Sequence, residues 1–464
     1  MTDFANLIRP DRGEPAHALQ LVTKAGFDDW LRGQPERIRS AAAAARFEGK
    51  PGTTAILPGD NAEDWSLALG VGESIDPWAL APAADRLPEG RYRLVGGSAG
   101  PAALGWLLAQ HRFDRYRAKP DPLPERVLLV EDVARIDETV RLAEAVVLVR
   151  DLVDTPAADL GPAELAEAVE EVAKDFSASV RIIEGALLED GYPMIQAVGR
   201  AASRARAPRL IELEWGDPAH PRVAIIGKGV CFDSGGLDIK PAGGMALMKK
   251  DMGGAATALG LARLVMGANL PVRLHLLIPA VENAISSDAM RPGDILVSRK
   301  GLTVEVSNTD AEGRLILADA ITRAAEGDGG QIPVLMIDFA TLTGAARTAL
   351  GPELPALFAN DELLASALLE AGEAVADPVW RLPLWQSYGE MLKSEIADTD
   401  NAGTGGMAGA ITAALFLEKF VPQGLPWAHV DTFAWNPAAK PGRPKGGAAL
   451  ALRAAWNMLQ RRFG

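Results

Sequence analysis

Apolar and polar positions alternate along this chain in two registers. From about residue 15 to 130, short apolar runs, LQLV (19–22), TTAILP (53–58), WSLALGVG (65–72), YRLVGG (92–97) and RVLLV (126–130), read as strands. Between them QPERIRSAAAAARF and PAALGWLLAQHRF carry helical spacing, which gives the βαβα order of a small α/β domain. From Asp132 to Val153 the apolar positions Val133, Ile136, Val140, Ala143 and Val147 recur at helical intervals. A second helix is predicted to start near Pro162, whose ring suits a first helical turn. Beyond it the strand signals strengthen: SVRIIEG (179–185), RLIELEW (209–215), RVAIIGKG (222–229), PVRLHLLIPA (271–280), PVLMIDFA (333–340) and WAHVDTF (427–433). Continuous apolar runs of this kind suit strands covered on both faces. The expected fold is α/β, with a small N-terminal α/β domain over 1–145 and a larger catalytic α/β domain over 146–464, the latter with a mixed central sheet flanked by helices.

Composition narrows the class. The chain has 464 residues, 48% hydrophobic and 23% charged, as in a globular protein. No apolar run reaches the roughly 18–20 residues that span a bilayer. The first residues, MTDFANLIRPDRGEP, lack an apolar signal core, so a cytoplasmic location is expected. A net charge of −14 argues against a surface built for nucleic acid or anionic lipid. The single cysteine, Cys231, excludes an internal disulfide and a cysteine-rich zinc cluster. The five histidines are scattered without metal-binding spacing, so carboxylates must do most of any metal holding.

Two stretches carry candidate chemistry. In VEVSNTDAEGRLILADA (304–320) a short alternating strand runs through a polar turn into an apolar helix, which gathers Asp310, Glu312 and Arg314 at the junction. Alone, this is equally well explained by acids near the positive end of a helix dipole. In IIGKGVCFDSGGLDIKPAGGMALMKKDMGGAA (225–256), Lys228, Asp233, Lys240 and Asp251 lie among glycines that permit close backbone approach. A phosphate cradle would use the glycines and lysines, but the Walker spacing is missing. A metal site would use Asp233, Asp251, Asp310 and Glu312, whose mutual repulsion divalent cations would offset. The loop GGSAGP (96–101) reads as a tight turn.

Taken together, IGKGVCFDSGGLDIKP, KKDMGGAA and SNTDAEGRL resemble the leucyl aminopeptidase family of two-metal exopeptidases, the cytosolic hexameric kind. The resemblance continues through RPGDILVSRKGLTVEV, ATLTGAA, GAITAALFLEKFV and WAHVD, over roughly residues 150–455. It implies a metal-dependent aminopeptidase that releases N-terminal residues, leucine and other apolar ones preferred. One divalent cation would be held by Lys228, Asp233, Asp251 and Glu312, the other by Asp233, Asp310 and Glu312 with the Asp310 carbonyl. Zn²⁺ or Mn²⁺ is implied, with Mg²⁺ or Co²⁺ also compatible with such ligands. Lys240 would stabilise the oxyanion, and Arg314 would hold a bicarbonate. Met248, Thr341 and Gly344 would border the pocket for the first side chain. A homohexamer acting on peptides is implied. The alternatives are turnover of dipeptides such as Cys-Gly, or a DNA-binding regulator on the same scaffold. Two departures stand out: Asp154 replaces an asparagine usual in the family, and TFAWNPAAKPGRPKGGAALALRA diverges after WAHVD, at the far wall of the pocket.

Overall fold

The computed structural model describes residues 2–61, 64–327 and 331–464. The chain divides into two compact units. One takes the residues up to Val147 together with Ala438–Lys445, and the other takes Leu148–Pro437 and Gly446–Gly464. The division thus falls inside the long helix Ile136–Asp154, and a short late segment belongs to the first unit. Nothing in the apolar pattern marks that segment.

The first unit is built on a six-stranded sheet. Its strands Ile8–Pro10, Arg126–Val130, Gly90–Val95, His17–Thr23 and Trp65–Val71 run parallel, and Thr54–Pro58 closes one edge antiparallel. Val22, Ile38, Ala42, Phe47 and Leu57 form one of its apolar clusters. The buried indole of Trp106 donates to the Arg126 carbonyl at 2.9 Å, so the ring carries its polar atom into the core already paired.

The second unit has a nine-stranded mixed sheet. At its centre Arg222–Gly227, Leu335–Ala340 and Trp427–Asp431 run parallel, with Arg273–Asn283 parallel on the other flank of Arg222–Gly227. Arg222–Gly227 is buried along its whole length, and so are the other two central strands. Both faces are covered. Helix Gly253–Gly267 packs on one face with Pro162–Phe176 and Leu452–Phe463, and Glu312–Ala325 packs on the other with Pro193–Gly199 and Gly409–Glu418. Among the described residues no helix is long and apolar enough to cross a membrane.

Several elements escape the apolar pattern. Gly229–Asp233 is a strand of its own beside Arg273–Asn283, where the apolar pattern predicts no strand beyond residue 229. Ala356–Ala359 and helix Glu362–Ala374 also form, the latter capped by the Asp361 carboxylate accepting from the Leu364 amide. The helix over 132–153 begins instead with a 3-10 turn at Val133–Arg135 and becomes α-helical from Ile136.

Candidate metal centre

The parallel strands end at one place, and their carboxyl ends carry the polar residues, as expected for open α/β sheets. Lys228 directly follows Arg222–Gly227, Asp233 ends Gly229–Asp233, Thr341 follows Leu335–Ala340, and Asp431 ends Trp427–Asp431. Helix Glu312–Ala325 brings Glu312 in its first turn and Arg314 two residues on.

The strand Gly229–Asp233 positions Asp233 by a bulge. Its pairing with Arg273–Asn283 shifts register between Val230 and Phe232, so the buried Cys231 takes the extra position. Such an insertion re-aims the residues after it. Asn283 then lies opposite Asp233 and donates Nδ2 to Asp233 Oδ1 at 2.8 Å and to the Thr309 carbonyl at 3.1 Å. One amide therefore ties the strand end to the turn that carries Asp310. Cys231 itself is an enclosed thiol whose Sγ reaches the Gly229 carbonyl at 3.7 Å, and burial pushes its pKa up.

Within the centre, Lys228 Nζ lies 2.8 Å from Asp251 Oδ2 and 3.0 Å from Glu312 Oε1, and Lys240 Nζ lies 2.8 Å from Asp233 Oδ2 and 2.5 Å from Asp310 Oδ1. Oxygens of Asp233, Asp310 and Glu312 all fall within 4.8 Å of one another. Asp251 joins this trio through Lys228, and the Thr341 hydroxyl donates to its Oδ1 at 2.7 Å. Two glycines make the approach possible. A Cβ on Gly313 would stand 2.7 Å from Lys228 Nζ, and Gly235, at φ +89°, would place one 2.5 Å from the Asp238 carbonyl.

The electrostatics are those of an acid cluster out of water. Burial, with the Asp233 charge added, raises Glu312 to about 8 and Asp310 to about 6. Burial alone would depress Lys228, but Asp251, Glu312 and Asp233 outweigh it and hold its ammonium above the ordinary value. Burial lowers Arg314 to about 10; its Nη1 donates to the Asn401 carbonyl at 2.7 Å, while its Nε is buried without a hydrogen bond. Both Glu312 oxygens, Asp310 Oδ1 and Asp251 Oδ2 accept no hydrogen bond of sound geometry. Buried carboxylate oxygens left in this state are costly. Their convergence fits divalent cations, which take oxygen donors and offset the repulsion.

All the residues singled out in the sequence for the site line one cavity of about 410 Å³, including Met248, Thr341 and Gly344. Others were not singled out. Asn283 and Thr309 brace the acids, and Asp431 accepts from the amides of Leu342 and Thr343 and from the Thr343 hydroxyl at 2.6 Å. Lys250 and Phe433 line the cavity as well. A polar residue ending an apolar strand run, as in PAVEN and WAHVD, is the signal that points to Asn283 and Asp431.

Comparison with known proteins agrees with this geometry. The profile of the cytosol aminopeptidase family, catalytic domain, matches residues 147–455, and that of the M17 aminopeptidase N-terminal domain matches 17–129. A probable cytosol aminopeptidase of Syntrophotalea carbinolica is 44% identical over 373 residues, 77% of this chain and 73% of that one. The crystal structure of the cytosol aminopeptidase from Coxiella burnetii superposes with a TM-score of 0.92 at 47% identity, covering 99% of this chain and 100% of that one. The bottromycin maturation enzyme BotP in complex with Mn gives 0.86 at 32% identity, covering 99% and 100%. With both domain profiles matched in order and the acid-and-lysine centre at the strand ends, the chain belongs to the cytosol aminopeptidase family, M17, and is a metal-dependent aminopeptidase.

Proposed function

We propose that the protein releases N-terminal residues from peptides, leucine and other apolar ones preferred, at a centre of two divalent cations held by Lys228, Asp233, Asp251, Asp310 and Glu312. The observation that carries this reading is the convergence of Asp233, Asp310 and Glu312 oxygens within 4.8 Å of one another beside Lys228 and Lys240, with Glu312 Oε2 buried and without a hydrogen bond. Asp233, beside Lys240, and Glu312, beside Lys228, would be shared by both cations, with the Asp310 carbonyl as a further donor. Mn²⁺ or Zn²⁺ suits the set, with Mg²⁺ or Co²⁺ also compatible, and the relative BotP was solved with Mn. When bound, the cations would make a shared water acidic enough to act near neutral pH and would polarise the scissile carbonyl.

The protein's own groups then divide the remaining work. Lys228 can be a ligand only as a neutral amine, so its proton must leave on loading. Lys240, freed from two carboxylates, would direct its ammonium at the developing oxyanion. Arg314, anchored at one end by Asn401, would hold a bicarbonate as the base beside the attacking water. Met248, Thr341 and Gly344 would receive the first side chain.

Catalysis is assigned to residues 146–464, with 1–145 as a separate N-terminal domain, a reading supported by the two family profiles. A cytoplasmic homohexamer is proposed from the family resemblance. Exposed Leu363, Trp380, Trp385 and Met407 offer apolar surface for contacts between copies.

The test combines metal analysis with a substrate panel. Protein loaded with Mn²⁺ or Zn²⁺ should hydrolyse Leu-p-nitroanilide and lose that activity on chelation. No turnover of any N-terminal residue with two metals bound per chain overturns the reading.

A further inference from the structure

One corner of the cavity carries charge that the acid centre does not use. Lys250 is only 5% exposed, and its Nζ lies 4.9 Å from the centre of the Phe433 ring. Arg347 Cζ lies 5.0 Å from the same ring. Both cations line the cavity with Met248, the residue assigned to the first side chain. Among the described residues neither side chain makes an ion pair or hydrogen bond, and their contact with Phe433 is the interaction each has.

The acids that act on Lys250 from a distance, Asp251 and Asp431, are engaged elsewhere. Asp251 pairs with Lys228 and the Thr341 hydroxyl, and Asp431 holds Leu342 and Thr343. A buried ammonium without a partner is disfavoured, because it has given up water and received no counter-charge. An aromatic face offsets part of that loss, and a ligand carboxylate would offset the rest. Phe433 and Met248 meanwhile offer apolar surface for the methylenes of a side chain.

We propose that the pocket for the first side chain ends on a cationic wall, where Lys250 and Arg347 both meet Phe433, and admits N-terminal glutamate and aspartate beside apolar residues. This rests on the reading of the cavity as an aminopeptidase site and names a substrate class within it. Glutamate packs its methylenes on Phe433 and Met248 and directs its carboxylate at the two cations. N-terminal lysine and arginine are repelled by the same wall.

The metal-loaded full chain is assayed with the p-nitroanilides of Leu, Glu, Gln and Lys, which have no C-terminal carboxylate to confuse the result. Glu should exceed its neutral isostere Gln by about tenfold or more in kcat/KM, equivalent to one charge-pair contact of about 1.4 kcal/mol, and Lys should be the poorest. Lys250→Met and Arg347→Gln should each bring the Glu/Gln ratio toward one. Because the ratio is taken within one variant, a general loss of activity cancels. Arg347 is exposed, so its variant carries the test should Lys250→Met fold poorly. Leu turnover with no preference for Glu over Gln overturns the proposal alone, as does a wild-type ratio that persists in Arg347→Gln and in folded Lys250→Met. Failure of every substrate, Leu included, overturns the aminopeptidase reading and this proposal with it.

Discussion

Gly313 is the residue on which the centre's closeness depends. It follows Glu312 in the helix, where alanine is ordinarily the better helix former by about 1 kcal/mol. Here a methyl would meet Lys228 Nζ at 2.7 Å and Cε at 2.6 Å. Gly313→Ala should therefore lower metal content, activity and thermal stability together, because overpacking of about 1–3 kcal/mol at the buried Lys228 outweighs the helix gain; full activity in the variant would show that Lys228 has room to move. Glu312→Gln and Lys240→Ala separate two roles. The first should cost bound metal, because Glu312 turns a buried carboxylate into the acid cluster, one oxygen on Lys228 and the other without a hydrogen bond. The second should keep metal and lower kcat on the order of 10²–10³-fold, the usual loss when one oxyanion donor is removed. Wild-type rates in metal-loaded Lys240→Ala would exclude that role. Asp310, Glu312 and Arg314 were legible because their motif is compact. Asn283 was not, since a single amide at the end of an apolar run resembles any strand terminus.

Strands set where these side chains point, and the strand that aims Asp233 was among those hidden in the sequence. GVCFD is short and begins with glycine, and its bulge breaks the alternation that a periodic reading depends on. The central strands were legible because burial on both faces leaves long apolar runs. Asn283 bridges the bulged strand and the turn at Thr309, so Asn283→Ala should weaken metal binding about 10–100-fold, the usual loss for an orienting partner. An unchanged affinity in a metal titration would remove that role. A second pairing lies deeper between two strands. His429 Nδ1 meets Asp338 Oδ1 at 2.5 Å, and the Trp427 indole donates to Asp338 Oδ2 at 2.8 Å, all buried. Burial alone would lower the His429 pKa, but Asp338, with Asp431 beyond it, raises it against the opposing charge of Arg314. The unfolded imidazole titrates near 6.5. The pair's stabilisation is thus complete below about pH 6.5 and is lost as pH rises through the higher folded value. Thermal unfolding of Asp338→Asn should show a shallower decline above pH 6.5 than the wild type; parallel curves would refute the linkage.

For the whole molecule, the acid centre is a local debt set against a large core. Acids whose pKa burial and neighbouring acids raise, Glu312 above all, oppose folding at neutral pH, and cations bound only by the folded chain reverse this. At a free ion concentration of 100 times the dissociation constant, one site adds about 2.7 kcal/mol. Chelated protein should therefore melt at lower temperature than protein reloaded with Mn²⁺, in scans at fixed pH; identical melting with metal uptake confirmed would contradict the ligand assignment. At this scale the α/β class and the family were legible, because NTDAEGRL and FDSGG keep their chemistry in short stretches. The far wall of the pocket was not, because its charge comes from Lys250 and Arg347, which meet at Phe433 only through folding. The place of Trp427–Asp431 has one more consequence. This strand lies between Leu335–Ala340 and Ala356–Ala359, and its last residue fixes the Leu342–Thr343 turn beside the cavity. A chain leaving the ribosome has therefore made every proposed metal ligand well before the strand that holds this turn exists. Stalled chains cut before Trp427 should show no aminopeptidase activity; activity in them would show that the pocket forms without this strand.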